Sequence, residues 1–423
     1  MYRAVVIGGG WSGIAAALGA KKAGAEVTLL EKTDMLLGLG NVGGIMRNNG
    51  RYTAAEENIA LGAGELFGIT DSCATHVNID FPGHSHASLY NVIKVEPQVR
   101  RLLREKGIDI RLVSRAVDVE MAGECIESIT LADGEKIQGD VFIECTGPMG
   151  NCLAYGNGCC MCILRCPAFG PRVSLTQKAG RNDIMGMRKD GAFGAFSGSG
   201  KLEKQSLSEE IQNKLNDTGV AIVPVPMQLI NEKKLEVKVC QQYALEEFAE
   251  NIVLLDTGYA KIMTPFFELE KLRQVPGFEN ARYIDPYAGG RGNSIRYLSV
   301  AQRNNAMKAE GIENMFCGGE KSGFFVGHTE AITTGSLAGH NAARLLKGLR
   351  LLELPRQVAA GDLISYANEM METENGLMTR YTFAGAEYFA RMKEKNLYTT
   401  DKQEIEKRIS RYDLQGIYSQ RII

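Results

Sequence analysis

The chain has 423 residues, is 44% hydrophobic, and carries 48 Lys+Arg against 50 Asp+Glu, a formal net charge of −2. This length supports a large core in about two or three domains, and the near-neutral balance argues against a membrane surface and against bulk nucleic-acid binding. The longest apolar opening, AVVIGGGWSGIAAALGA, is glycine-broken and too short to span a bilayer; with no basic leader or cleavage site the expected location is the cytoplasm.

Taken in chain order, residues 4–7 form an apolar run of strand length that leads into Gly8-x-Gly10-x-x-Gly13. Residues 14–22 read as an Ala-rich helix stopped by Gly24, and residues 27–30 as a second strand ending at Glu31. The three glycines serve different ends. Gly8 makes the tight turn, Gly10 lets the backbone approach a pyrophosphate, and Gly13 lets helix and strand pack closely. The helix N-terminus offers free N–H groups to phosphates, and Glu31 can accept hydrogen bonds from a ribose diol. Trp11 and Ser12 within the loop, and Lys32 after Glu31, join the candidate cofactor-binding residues.

Downstream, FPGHSHASLYN places His84 and His86 two apart, where a strand would put them on one face; a polar loop is the favoured reading over a metal pair, because no third ligand motif is near. An amphipathic helix is expected over residues 96–106, a strand over 109–113, a hairpin from 116–120 and 126–131, and a strand over 141–144 ahead of Cys145-Thr146-Gly147.

Five of the ten cysteines then crowd into residues 152–166: Cys152, Cys159, Cys160, Cys162 and Cys166. Cys159-x2-Cys162-x3-Cys166-Pro167 matches the last three positions of the ferredoxin run C-x2-C-x2-C-x3-C-P. Gly156 occupies the first position, so Cys152 or Cys160 would supply the fourth thiolate. A [4Fe-4S] iron–sulfur cluster is the favoured reading. The alternatives are a Cys159/Cys162 redox disulfide, a zinc site, or inert buried thiols. Cys73, Cys125, Cys145, Cys240 and Cys317 are scattered and read mostly as small buried residues.

Ser206-x-x-Glu209 reads as a capping box, and residues 220–230 and 234–240 as strands. In YAGGRGNSIRY, Arg291, Asn293 and Arg296 suit either an anion site or a solvated loop. Phe316-Cys317-Gly318-Gly319-Glu320 precedes a long small-residue helix, in which Gly335, Gly339, Ala342 and Ala343 allow close helix packing. His328 lies within this motif, and His340, inside the helix, reads as structural. The tail beyond residue 350 reads as helical and charged, a cap or oligomer surface.

Thr146-Gly147 at a strand end and Gly319-Glu320 before the small-residue helix resemble the two later motifs of the glutathione-reductase-like FAD fold. That resemblance implies an α/β fold: a Rossmann-like FAD-binding domain with an inserted α+β domain and a helical C-terminal tail. It places the ribityl chain of FAD near Gly319 and Glu320 and the adenine near Val117. The expected division is 1–150 and 251–350 for the two parts of the FAD domain, 151–250 for a substrate-facing insertion, and 351–423 for the cap.

Residues 269–302, with PGFEN, and 314–348, with TGSLAGHNAAR, resemble the tRNA-uridine-modifying flavoproteins, as does LPRQVAAGDLISYANE in the tail. These are the folate/FAD-dependent uridine-5-methyltransferases and the carboxymethylaminomethyl-uridine enzymes. Residues 37–58 are more similar to a wider class of FAD-dependent oxidoreductases, some of which carry iron–sulfur clusters. The reading favoured overall is an FAD-dependent oxidoreductase that couples two-electron flavin chemistry to a cluster. Its partner would be a small-molecule substrate or a redox carrier protein, with RNA less favoured. The alternatives are a folate/FAD-dependent RNA uridine methyltransferase-like enzyme and a flavin subunit of an electron-transfer complex.

Overall fold

The computed structural model describes residues 2–147, 173–193, 195, 196, 200–236, 238, 240–264, 267–284, 295, 296 and 298–423. A five-stranded parallel sheet organises it. Strand β1 (Arg3–Ile7) runs into helix α1 (Trp11–Lys22) and returns as β2 (Glu26–Leu30). Strands β3 (Asp109–Arg111), β4 (Val141–Glu144) and β5 (Met315–Cys317) complete the order β5-β4-β1-β2-β3.

Strand β1 is paired on both edges, Ala4 lying beside Val141 on one side and Val27 on the other. Both of its faces are covered as well, which explains a continuous apolar run rather than an alternating one. Val5 and Ile7 face a layer built from a three-stranded meander (Ala116–Ala122, Cys125–Leu131, Lys136–Gln138) with Ile126, Ile129 and Ile137. Ala4 and Val6 face α1.

Helix α2 (Gly50–Ala60) and helix α3 (His328–Leu346) follow. The small residues of α3 serve backbone contact with α1. A Cβ on Gly335 would lie 2.1 Å from the Ser12 carbonyl oxygen, and one on Gly339 2.1 Å from that of Ala16. Side chains of any size would push these helices apart.

A second, antiparallel sheet runs Lys201–Leu202, Ala260–Ile262, Asn251–Asp256, Val220–Pro224, with the helix Glu209–Thr218 packed through Ile211 and Leu215. In the tail, helices α4 (Ala359–Met370) and α5 (Lys402–Arg411) lie on α2. Glu57 of α2 accepts hydrogen bonds from Ala359 N and Ala360 N, both 2.9 Å, at the start of α4. Among the described residues no helix is long and apolar enough to cross a membrane.

Four local expectations fail. The helix expected to be capped at Ser206 is capped by Ser208, whose Oγ accepts from Ile211 N; Ser206 sits in a 3-10 turn and donates to Glu203 O. Glu209 is therefore the first helical residue, not the third. The strand expected over 220–230 stops at Pro224, because Pro224 and Pro226 bring no N–H to a ladder; Met227–Leu229 is a 3-10 turn instead. Residues 234–236, expected to begin a strand over 234–240, lie instead in a helical turn, Lys233–Glu236, of residues with good helix propensity. The polar loop favoured for His84 and His86 is a strand instead, His84–Tyr90, paired with Ala74–Phe81. Other differences lie at the ends of elements: Val113 turns out of β3 with φ 55, and the helix expected at 96–106 spans Val95–Glu105.

Candidate functional site

The three glycines of the N-terminal loop differ in what surrounds them. Gly8 has φ +103, and a Cβ there would meet the Cys145 carbonyl oxygen at 2.4 Å. A Cβ on Gly13 would lie 1.8 Å from Gly8 O. A Cβ on Gly10 would meet nothing within 4 Å: among the described residues this glycine borders open space at the N-cap of α1. No side chain caps that helix end, so its first N–H groups and the positive end of its dipole face an opening. Below the loop, Glu31 is buried at the end of β2. Its carboxylate accepts from Gly9 N at 2.8 Å, from Thr33 N at 2.9 Å and from Thr33 Oγ1 at 3.0 Å, with half-buried Lys32 beside it.

The later motifs converge on the same place. Cys145 N donates to Ile7 O, setting Thr146 and Gly147 beside Gly8. Thr146 Oγ1 donates to Glu144 at 3.1 Å, and Gly147, at φ +69, has nothing among the described residues within 4 Å of where a Cβ would be. From the other end of the chain, a Cβ on Gly318 would strike Ser12 Oγ at 2.5 Å. Gly319, at φ +65, donates its N–H to Thr334 Oγ1 of α3, and half-buried Glu320 follows in the same 3-10 turn. Ser12 Oγ also points at Cys145 Sγ, 3.4 Å away. The meander enters beside Glu31, because Ser114 N donates to Glu31 O; Val117 lies three residues on, half-buried in a bulge between Ala116 and Asp118. Residues from three separated motifs thus line the carboxyl end of the parallel sheet, where open α/β folds bind their ligands. An open glycine at a helix N-terminus, with a buried carboxylate one strand away, suits a dinucleotide.

Trp11 packs against Tyr90 and His328, ring centroids 6.0 Å apart in each case. His328 is the first residue of α3, so two helix N-termini meet at this cluster. Behind it Arg51 is buried against Glu330, donating through Nε at 3.1 Å.

A charged cluster missed by sequence reading closes the far side. Lys321 is fully buried and reaches Asp183 at 2.6 Å, Ser174 Oγ at 2.7 Å and Glu144 at 3.9 Å. Glu144 also accepts from Leu175 N and Thr176 N. Burial pushes the Glu144 carboxyl up despite the ammonium. Burial also works on Asp183, but Lys321 and three hydroxyl and ammonium hydrogen bonds hold it below the usual carboxylate range. Lys321 stays above its ordinary value because the two carboxylates outweigh burial. The only trace of this cluster in the sequence is Lys321 itself, next to Glu320.

Other candidates separate. His84 is buried, with Nδ1 facing Asn48 and Asn49 and Nε2 at 3.0 Å from Gln242 O; burial brings it down to about 3. His86 has φ 62 and bonds Asn78, so the two rings share no partner and form no metal pair. His340 is buried in α3 and packs edge-on against Tyr418. Cys73, Cys145 and Cys317 are buried, Cys125 and Cys240 partly so. Burial pushes the Cys145 thiol up to about 12, which removes it as a nucleophile at neutral pH. Cys152, Cys159, Cys160, Cys162 and Cys166 lie outside the described residues, as do Arg291, Asn293 and the side chain of Arg296. Among the described residues no group of three or more His, Cys, Asp or Glu could hold a metal ion.

Comparison with known proteins agrees with this architecture. Residues 3–257 and 257–350 match the family described as Glucose inhibited division protein A. The tRNA uridine 5-carboxymethylaminomethyl modification enzyme MnmG of Chlorobaculum tepidum is 30% identical over 115 residues, 27% of this chain and 18% of that protein. The methylenetetrahydrofolate–tRNA-(uracil-5-)-methyltransferase TrmFO of Natranaerobius thermophilus is 33% identical over 97 residues, 23% of this chain and 22% of that protein. The chain therefore spans about a fifth of the length of these curated relatives. Aquifex aeolicus GidA, in its form II crystal, superposes with a TM-score of 0.65 at 17% identity, covering 97% of this chain and 76% of that one, a likeness of fold. The resemblance to the tRNA-uridine-modifying flavoproteins and the glutathione-reductase-like α/β fold both hold, and the chain belongs to the Glucose inhibited division protein A family.

Proposed function

We propose that the chain is an FAD-dependent enzyme that modifies uridine in RNA, the alternative raised by its sequence rather than the reading favoured there. The observation that carries the cofactor is the opening at Gly10, bordered by the α1 N-terminus and backed by Glu31. Names of local relatives, which act on tRNA uridines, support the substrate class. When bound, FAD supplies two-electron redox chemistry. The loop N–H groups at Gly10, Trp11, Ser12 and Gly13 would hold its pyrophosphate, and Glu31, with Lys32 adjacent, its ribose. Val117 would lie toward the adenine, and Thr146, Gly147, Gly319 and Glu320 toward the ribityl side. Helix α3 presents its positive end beside Trp11, which favours negative charge on a group bound there. The buried Lys321 cluster holds the turn after Gly319 in place.

The test is direct. The full chain is purified, its flavin released and identified, and the FAD-loaded protein is incubated with an unmodified tRNA transcript, methylenetetrahydrofolate and NADPH to supply the two electrons that turn a methylene into a methyl group, followed by nucleoside mass spectrometry. Retained FAD with a 5-substituted uridine supports the proposal. Loss of FAD overturns the cofactor, and retained FAD without a modified uridine returns the chain to the oxidoreductase reading.

A second reading rests on the spacing of Cys159, Cys162 and Cys166. Four thiolates from the segment 152–166 would hold a [4Fe-4S] cluster, which passes single electrons to a redox carrier while the flavin exchanges pairs. Iron and acid-labile sulfide assays after anaerobic purification decide it; a chain free of iron after reconstitution removes the cluster.

A further inference from the structure

His84 forms no metal pair, yet its buried ring sits where three segments meet. It packs between Phe81 and Tyr243, 4.7 Å from each ring centroid. Its Nδ1 faces the side-chain nitrogens of Asn48 at 3.0 Å and Asn49 at 3.2 Å, and its Nε2 lies 3.0 Å from Gln242 O. Neighbours fix both amides. Asn48 Oδ1 accepts from Arg51 Nη1 at 3.0 Å, and Asn49 Oδ1 from Ser85 N at 2.9 Å, so each turns its NH2 to the ring. Gln242 O can only accept. The ring is therefore neutral, with its proton on Nε2 and Nδ1 as acceptor. Asn48 cannot turn over to receive a second ring proton, because its NH2 would then face the Arg51 guanidinium. Burial, joined by the Arg51 charge, brings the ring down to about 3 against the pull of Gln242 O.

Arg51 carries this arrangement onward to α3. Its Nη2 donates to Val326 O at 2.9 Å and its Nε to Glu330 at 3.1 Å, on either side of Gly327, the N-cap. Glu330 in turn accepts from Phe383 N at 2.8 Å. The Tyr243 phenol lies toward Arg51, and Asp80 of the hairpin accepts from His86 N. Among the described residues no carboxylate acts on the His84 ring; the charge it feels is that of Arg51.

We propose that His84 is a positioning residue for the start of α3. As a neutral ring it orients Asn48, Asn48 orients Arg51, and Arg51 holds Val326 and Glu330, so that Gln242 is tied to the N-terminus of α3. A second proton on the ring breaks the tie at Asn48 and releases both ends. The consequence for FAD rests on the cofactor reading above; the tie itself does not.

The chain has five histidines, so the full-length protein carrying 15N-labelled histidine gives a spectrum in which His84→Gln identifies one ring by its loss. Long-range 1H–15N correlations should show that ring with a protonated Nε2 and a bare Nδ1 at about pH 8 and still at about pH 5, where an ordinary imidazole is charged. A protonated Nδ1 at either pH overturns the proposal. Urea unfolding supplies a pH profile. The unfolded ring takes its proton near 6.5 and the folded one near 3, so this contribution to stability is whole at neutral pH and falls as acid is added through that window. Relative to His84→Gln, which keeps a donor and an acceptor but does not titrate, the unsubstituted chain should lose up to about tenfold in its folding equilibrium constant per pH unit below about 6.5. Parallel profiles overturn the proposal.

His84→Phe keeps the ring packing and removes both nitrogens. At about pH 7 its amide exchange over residues 326–331 should quicken about tenfold, while the meander keeps its protection and His84→Gln restores the slow exchange. No change at 326–331, or an equal loss across the whole chain, overturns the positioning role. FAD titration is run separately: His84→Phe should bind about tenfold more weakly than His84→Gln. If the unsubstituted chain binds no FAD while residues 326–331 respond, the cofactor reading falls and the tie stands; equal FAD affinity in the two variants overturns the consequence for FAD.

Discussion

The glycine loop around Gly10 and the charged cluster around Lys321 lie on opposite sides of the same turn and are built by opposite means. The first is backbone and small residues, with donors left facing open space. The second is an ammonium and two carboxylates with no solvent exposure to speak of and every charge answered. The contrast separates a place that waits for a ligand from a place that has already satisfied itself. Concentrated charge does not by itself mark a site; unanswered donors beside an opening are the stronger sign.

Substitutions can break this contrast. The largest effect is expected for Lys321→Met, which keeps the length of the side chain but strands Glu144 and Asp183: a loss of about 3–5 kcal/mol in urea unfolding. Next comes another closed carboxylate, Glu57, which burial pushes up to about 7 from an ordinary 4.5. A raised folded value means a contribution fully present below about pH 4.5 and lost as pH rises through about 7, at most about 3 kcal/mol. Denaturation midpoints across this window should slope downward for the unsubstituted chain relative to Glu57→Gln; parallel curves would show that the carboxyl is not perturbed.

The two smaller effects put the same substitution three residues apart. Gly13→Ala drives a methyl into Gly8 O and should cost about 1–3 kcal/mol of stability. Gly10→Ala meets nothing and should leave the unfolding midpoint within about 0.5 kcal/mol of the original. Its FAD affinity, measured by flavin fluorescence, should nevertheless fall about tenfold, because the methyl occupies the opening. Equal stability losses at Gly10 and Gly13 would erase the distinction between packing glycine and binding glycine.

How far the sequence reveals this molecule depends on how local each feature is. The strand–loop–helix of residues 3–22 and the hairpin of residues 116–131 follow from periodicity and glycine spacing within short windows, and they form where expected; the third strand of the meander, Lys136–Gln138, is not among those expected. The choice between Ser206 and Ser208 as a cap is beyond reach, since both are serines ahead of glutamates and only the geometry of the preceding turn decides. The Lys321–Asp183 contact joins residues 138 positions apart and leaves no periodic trace. His84 and His86 share a face only under strict alternation; a positive φ at His86 and register shifts in the hairpin turn them apart.

The contact between α1 and α3 has a consequence for biosynthesis. The fingerprint leaves the ribosome well ahead of α3, yet Ser12 and Ala16 find the glycines they rest on only when residues 328–346 have followed. Strand β5 arrives at the same late stage. The nascent chain must therefore carry its most recognisable motif without that support until α3 has emerged. A fragment that stops before Met315 keeps the signature of a dinucleotide site without the far wall that makes it one.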